Sequence, residues 1–205
     1  MVINLTYNLP MRITKEKAEE NRHALVQAAG RLFRERGIDG VGVAEISKEA
    51  GLTHGALYAH FPSKEALAAE ALGHGVQRAA ARLGKHAKDG IPDLAEFLDY
   101  YLAPATRDDL SGGCALAASA SEIGRQDAAL SVHFAEGFLR TATAFERQVA
   151  KARPEADARQ AGLAIAAAMI GGVAAARAVA KADPALSDEV LAAVRNILGE
   201  LGGLP

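Results

Sequence analysis

The chain has 205 residues, 50% of them apolar and 23% charged, so it is long enough to bury a core and is not a disordered polyelectrolyte. Alanine fills 46 positions against 10 aromatics and no tryptophan, which points to closely packed helices, since alanine is the strongest helix former and is depleted in strands. Residues 1–64 hold 9 Lys+Arg and 7 Asp+Glu, whereas residues 65–205 hold 14 and 18; this excludes a protein that coats DNA regardless of sequence and confines any nucleic-acid role to a local surface.

The one cysteine, Cys114, excludes an intramolecular disulfide and a multi-thiolate metal site, and suits a reducing cytosol. Met1 to Pro10 lacks a positive n-region, and Asn4, Thr6 and Asn8 interrupt its apolar residues, so no signal peptide is expected. The longest apolar stretch, Ala161 to Ala176, has 16 residues, short of the ~20 that span a bilayer, and reads as a buried helix. These features predict a cytoplasmic chain with no membrane partner, no metal and no cofactor.

In chain order, residues 1–11 show no helical period and read as a flexible arm. Thr14 then caps a helix in which Ala18, Leu25, Ala28, Ala29, Leu32 and Phe33 recur at three- and four-residue steps, and Gly37 stops it. Val43 to Ala50 and Gly55 to His60 are two short helices around the Gly51-Leu52-Thr53 turn, with Thr53 capping the second. Two short helices about a glycine-bearing turn make a helix-turn-helix.

Ser63 opens a long connector helix to about Lys85, and after Lys88-Asp89-Gly90, Pro92 and Asp93 begin a helix striped by Leu94, Phe97, Leu98, Tyr101 and Leu102. Ala103 to Gly113 reads as a loop. Helices follow over Cys114 to Gly124, over Ala128 to Lys151, from Pro154-Glu155 to about Ala182, and from a Ser187 cap onward. The expectation is an all-α chain of about nine helices: a helix-turn-helix domain over 12–62, then a larger ligand-binding and dimerisation domain over 63–205.

Within the short second helix of the motif, Leu57 and Phe61 are spaced i, i+4 to pin it to a core, turning Thr53, His54, Gly55, Ala56, Tyr58 and His60 to other faces. Such a helix suits a major groove. His54 and Ala56 are placed to meet base edges, Tyr58 and His60 to meet phosphate or sugar, and Gly55 lets backbone approach the DNA. Lys64 opposes the macrodipole of its helix and makes sense where that N-terminus cradles a phosphate.

The runs Ala28-Ala29-Gly30-Arg31-Leu32-Phe33-Arg34-Glu35-Arg36-Gly37, Ile46 to Phe61 and Ser63-Lys64-Glu65 resemble the TetR family of transcriptional regulators. The resemblance implies that Thr53, His54, Tyr58 and His60 contact DNA. It also marks a departure: the family's polar residue at the start of the second helix is Gly42 here, followed by Val43, so one side-chain contact to the DNA backbone is missing and Gly42 offers only its N–H.

The Ala/Gly-rich helix and the last helix read as half of a four-helix homodimer interface, with Gly162, Ala166, Gly171, Ala175, Leu191, Val194 and Leu198 as contact positions. Phe97, Tyr101, Phe134, Phe138 and Met169 are the expected lining of a cavity for an apolar or aromatic effector, which in this family triggers release from a palindromic operator. Cys114, after Gly112-Gly113 at a helix N-terminus, is a candidate sensor of oxidants or electrophiles through the same DNA-binding domain. A helical enzyme and a protein-binding adaptor are the rival readings. The first lacks a metal-ligand pair, a phosphate loop or a nucleophile paired with a base, and the second leaves the groove-shaped helix unexplained.

Overall fold

The computed structural model describes residues 14–84 and 93–203, and all the regular structure among them is helical. The described residues form ten helices: α1 Lys15–Arg36, α2 Val43–Glu49, α3 His54–His60, α4 Lys64–Gly84, α5 Leu94–Tyr101, α6 Pro104–Asp108, α7 Ala115–Ile123, α8 Ala128–Ala152, α9 Ala158–Val179 and α10 Pro184–Leu201. The arm over 1–11 and the break at Lys88-Asp89-Gly90 with Pro92 lie outside the described residues.

Three boundaries and one cap differ from the sequence reading. The expected loop Ala103 to Gly113 contains α6, because Pro104 at its first turn presets the backbone. Helix α9 starts at Ala158 rather than Pro154, since Asp157 is the residue whose carboxylate accepts from the Gln160 N–H at 3.0 Å. Asp183, not Ser187, caps α10 by accepting from the Leu186 N–H at 3.0 Å. Thr53 stands at the N-cap of α3 but makes no side-chain cap bond.

The N-terminal unit is built around α1. Thr14 accepts from the Lys17 N–H at 3.2 Å to start it, and Gly37 ends it at φ 79°. Its buried Leu25, Ala28, Ala29 and Leu32 pack on α4, α2 and α3. Seven residues do not hold a helix alone; α3 is held by the fully buried Leu57 and by Phe61. The Arg22 guanidinium lies 4.6 Å from the Phe61 ring centroid and pairs with Glu70, so α1, α4 and the end of α3 close on one another.

Helix α4 passes from this unit to the body, where it packs on α7 and α8. The body is dominated by α8 against α9 and α9 against α10. Helix α9 is 22 residues long and apolar enough to cross a membrane by length and composition, so the length argument made on Ala161 to Ala176 does not hold. Its packing speaks for a core helix: Ile165, Ala166, Met169, Val173 and Ala176 are buried against its neighbours.

Ser187 is buried between helices, donating to the Ala176 carbonyl at 2.8 Å and accepting from the Arg107 guanidinium at 2.7 Å. Arg107 is buried and also reaches Asp188 at 2.6 Å and Asp108 at 2.7 Å. Arg177 of α9 donates to the carbonyls of Arg107 at 2.8 Å and Thr106 at 3.1 Å. Two arginines thus fasten α6 to α9 and α10. Arg107→Met removes the charged bonds and strands the Ser187 hydroxyl as an acceptor, and is expected to lower stability by about 1–3 kcal/mol; a thermal melt matching wild type would contradict this account of the fastening.

Candidate functional site

The exposed face of α3 carries Thr53, His54, Gly55 and Tyr58, the last 55% exposed. Because the Thr53 hydroxyl makes no cap bond, it is available to an outside partner. The His54 and Tyr58 rings meet edge to face at 5.9 Å, which orients both side chains before any ligand arrives. Ala56 and His60 are half-buried, and a Cβ on Gly55 would meet nothing within 4 Å.

Two other elements flank that face. Gly42 is exposed at the N-cap of α2, with no side-chain cap, while Val43 is partly buried against the core; Val43 therefore serves packing more than contact. Lys64 is half-buried at the first residue of α4, where Ser63 accepts the Ala66 N–H at 3.1 Å. The exposed first turn of α3, the uncapped start of α2 and the start of α4 supply N–H groups, hydroxyl, imidazole and ammonium donors, the chemistry that binds phosphate and reads base edges.

A cavity of about 500 Å³ opens in the body, within the range of roughly 300–1,000 Å³ typical of small-molecule sites. Phe97 stacks on Tyr101 at 5.7 Å and meets Phe145 edge-on at 5.2 Å, and Met169 completes this apolar wall. Phe134 and Phe138 do not line it: they are partly buried against the core on other turns of α8. The sequence reading expected both in the lining, but of the α8 phenylalanines only Phe145 lines the cavity.

Tyr101 is 9% exposed, and its hydroxyl meets no nitrogen or oxygen partner among the described residues, only the Cys114 thiol. Burial, and then the neighbouring Cys114 thiol, push its phenol well above the usual range, so it stays a neutral O–H. Cys114 also lines the cavity, half-buried, with its Sγ accepting from the Ala117 N–H at 3.5 Å as the cap of α7.

One wall belongs to the turn after α6. Asp109, Gly112 and Gly113 line the cavity, and the Ser111 carbonyl accepts from the Arg34 guanidinium of α1, with Nε at 2.7 Å. A second tie runs between the two units at α7, where the Asp39 N–H donates to Glu122 at 2.9 Å. Neither tie was legible in the sequence, since each joins residues about 80 positions apart through a backbone group.

Of the seven expected dimer contacts, packing within the chain uses five. Ala166, Leu191 and Leu198 are buried, Val194 packs on Gly172, and Gly162 lies against the α8 backbone. Gly171 and Ala175 remain exposed, in an α9 stripe with Ala164, Ala167 and Ala178, and α10 exposes Leu186 and, at 61%, Ile197.

The family model of bacterial regulatory proteins of the tetR family matches residues 25–71, and that of the tetracyclin repressor-like C-terminal domain matches residues 90–194. Over 59 residues the chain is 42% identical to the HTH-type transcriptional regulator AcrR of Shigella flexneri, covering 29% of this chain and 27% of that protein. Over 54 residues it is 46% identical to the HTH-type transcriptional repressor BepR of Brucella suis, covering 26% of each. The chain thus spans about a quarter of the length of these curated relatives. A TetR transcriptional regulator from Chloroflexus aurantiacus superposes with a TM-score of 0.68 at 26% identity, covering 90% of this chain and 95% of that one. The reduced form of Escherichia coli NemR shares the fold with a TM-score of 0.70 at 20% identity, over 86% and 96% of the two chains.

Because space around Gly55 is open, Gly55→Ala should keep or raise thermal stability, by up to ~1 kcal/mol, while weakening binding to the DNA upstream of its own gene. Tyr58→Ala should melt like wild type and weaken binding by about 1 kcal/mol while leaving its salt dependence unchanged, since a neutral phenol displaces no counterion. Unchanged affinity in both variants, at fixed salt, would remove α3 from the interface.

Proposed function

Because the chain belongs to the TetR family of transcriptional regulators, whose C-terminal model alone spans half of it, we propose that it is a cytoplasmic homodimeric repressor that reads a palindromic operator and is released by a small apolar effector. Residues 12–62 act as the reader and 63–205 as the dimerising, effector-binding body. The α9 stripe of Ala164, Ala167, Gly171 and Ala175, with Leu186 and Ile197 of α10, is the surface on which a second copy packs, since small residues let helices approach closely. Two-fold symmetry then sets two α3 helices about one helical turn of DNA apart.

The observation that carries effector control is the bond from Arg34 to the Ser111 carbonyl. Its donor lies on the main helix of the reader, and its acceptor sits in the turn whose Asp109, Gly112 and Gly113 form a cavity wall. A ligand that moves this turn moves or frees α1, and a differential affinity for two positions of α1 is what release requires. In a mobility-shift titration, wild type should retain the DNA upstream of its own gene against excess unrelated DNA; equal retention of both would overturn the repressor reading. Arg34→Met should still bind that DNA, and still be stabilised by an apolar compound that raises the wild-type melting temperature, yet lose the release that this compound causes. Full release from the variant would show that coupling runs elsewhere.

A second reading has one observation in its favour, the place of Cys114 in the cavity wall: a reactive aldehyde entering the cavity meets its thiol. Release of DNA from Cys114→Ser by such an aldehyde, at the wild-type rate, would exclude it.

A further inference from the structure

We propose that the cavity in the body selects an amphipathic organic anion: a flat apolar body that carries a carboxylate at the mouth and an oxygen acceptor at the Tyr101 hydroxyl. The proposal rests on the reading of this cavity as the effector site and narrows its effector from apolar molecules in general to those whose apolar body also carries an acid group.

Three observations converge. The wall of Phe97, Phe145 and Met169 offers ring faces and a thioether, which fit a planar apolar body. Tyr101, nine-tenths buried in the lining, has an O–H with no nitrogen or oxygen partner, only the neighbouring Cys114 thiol, a weak acceptor. A buried donor left with only a weak sulfur acceptor is unfavourable, and an oxygen acceptor brought by the ligand turns that deficit into selectivity for molecules that carry one.

The third observation is charge. Arg140 and Arg147 both line the cavity, and both are exposed. Neither stands within salt-bridge distance of a carboxylate among the described residues, unlike Arg22, Arg31, Arg36, Arg107, Arg159 and Arg195. Seven residues apart on α8, they share a face about 10 Å in length. The one acid in the lining, Asp109, is held by the Gly112 N–H at 2.6 Å and the Ser111 hydroxyl at 3.2 Å and forms an ion pair with neither arginine. A guanidinium on a long stem closes over a carboxylate with two parallel bonds, and water-exposed placement lets it do so without moving α8.

The test is calorimetric titration of three probes: 6-methoxy-2-naphthoate, its neutral primary amide, and 2-naphthoate, which lacks the ether acceptor. Wild type should bind the methoxy acid about tenfold or more tightly over the amide, and the Arg140→Met, Arg147→Met double variant should lose that preference. Tyr101→Phe, which removes a buried hydroxyl whose one neighbour is the weakly accepting Cys114 thiol and should melt close to wild type, should weaken the methoxy acid by about three- to tenfold and leave 2-naphthoate unchanged. Equal binding of acid and amide, a preference that survives in the double variant, the same loss for both acids in Tyr101→Phe, or no binding of any probe overturns the proposal. Mobility shifts run alongside separate it from the release reading. Acid binding with this pattern but without loss of DNA upholds the site and sinks release, whereas release by the amide as readily as by the acid upholds release and sinks the anion.

Discussion

Backbone meets backbone where α8 crosses α9. At Gly162 a Cβ would stand 2.6 Å from the Ala142 carbonyl oxygen and 2.8 Å from the Glu146 nitrogen, closer than real side chains come. Helix axes this near leave no gap to fill, and dispersion contacts between main chains replace interdigitated side chains. The same turns of α8 that touch α9 in this way present Thr141, Phe145 and Gln148 on another face to the cavity. A rigid seam on one side of a helix therefore holds the open space on its other side, and the body can keep a void without collapsing into it.

Electrostatics in the N-terminal unit are spent more internally than the charge count implies. Arg22, Arg31 and Arg36 pair with Glu70, Glu49 and Glu45, Lys17 pairs with Glu20, and Arg34 turns toward the body. The small basic surplus of residues 1–64 thus does not spread over the α3 face, where Thr53, His54, Tyr58 and His60 stand without a lysine or arginine among them. On the proposed reading, attraction to DNA would rest on N–H groups at helix starts and on a few side chains, which favours reading over indiscriminate adhesion.

The helix-turn-helix was legible because its signals are local. Leu57 and Phe61 announce by spacing what the structure buries, and Gly37 and Gly51 take the positive φ that their positions in the text suggest. The body was legible as helices but not as surfaces. Ala166 and Ala175 look alike in a run of small residues, yet one is buried and the other exposed, because which side of an all-apolar helix faces a neighbour is decided by the neighbour. Phe134 and Phe138 failed as cavity residues for the same reason. The Arg34 tie to Ser111 left no sequence trace, since its acceptor is a carbonyl that every residue possesses.

Gly42 and Gly55 share a property that bears on how such a reader changes over generations. Gly42 has an ordinary negative φ, Gly55 lies within α3, and an added Cβ at either would meet nothing within 4 Å. Side chains can therefore be gained at both positions without touching the core that Leu57, Phe61 and Leu25 build. Most substitutions must first survive their effect on folding before selection sees their effect on function. Here the two are uncoupled: the vocabulary of the reader can be rewritten at the start of α2 and in the first turn of α3 while the fold that presents it stays fixed.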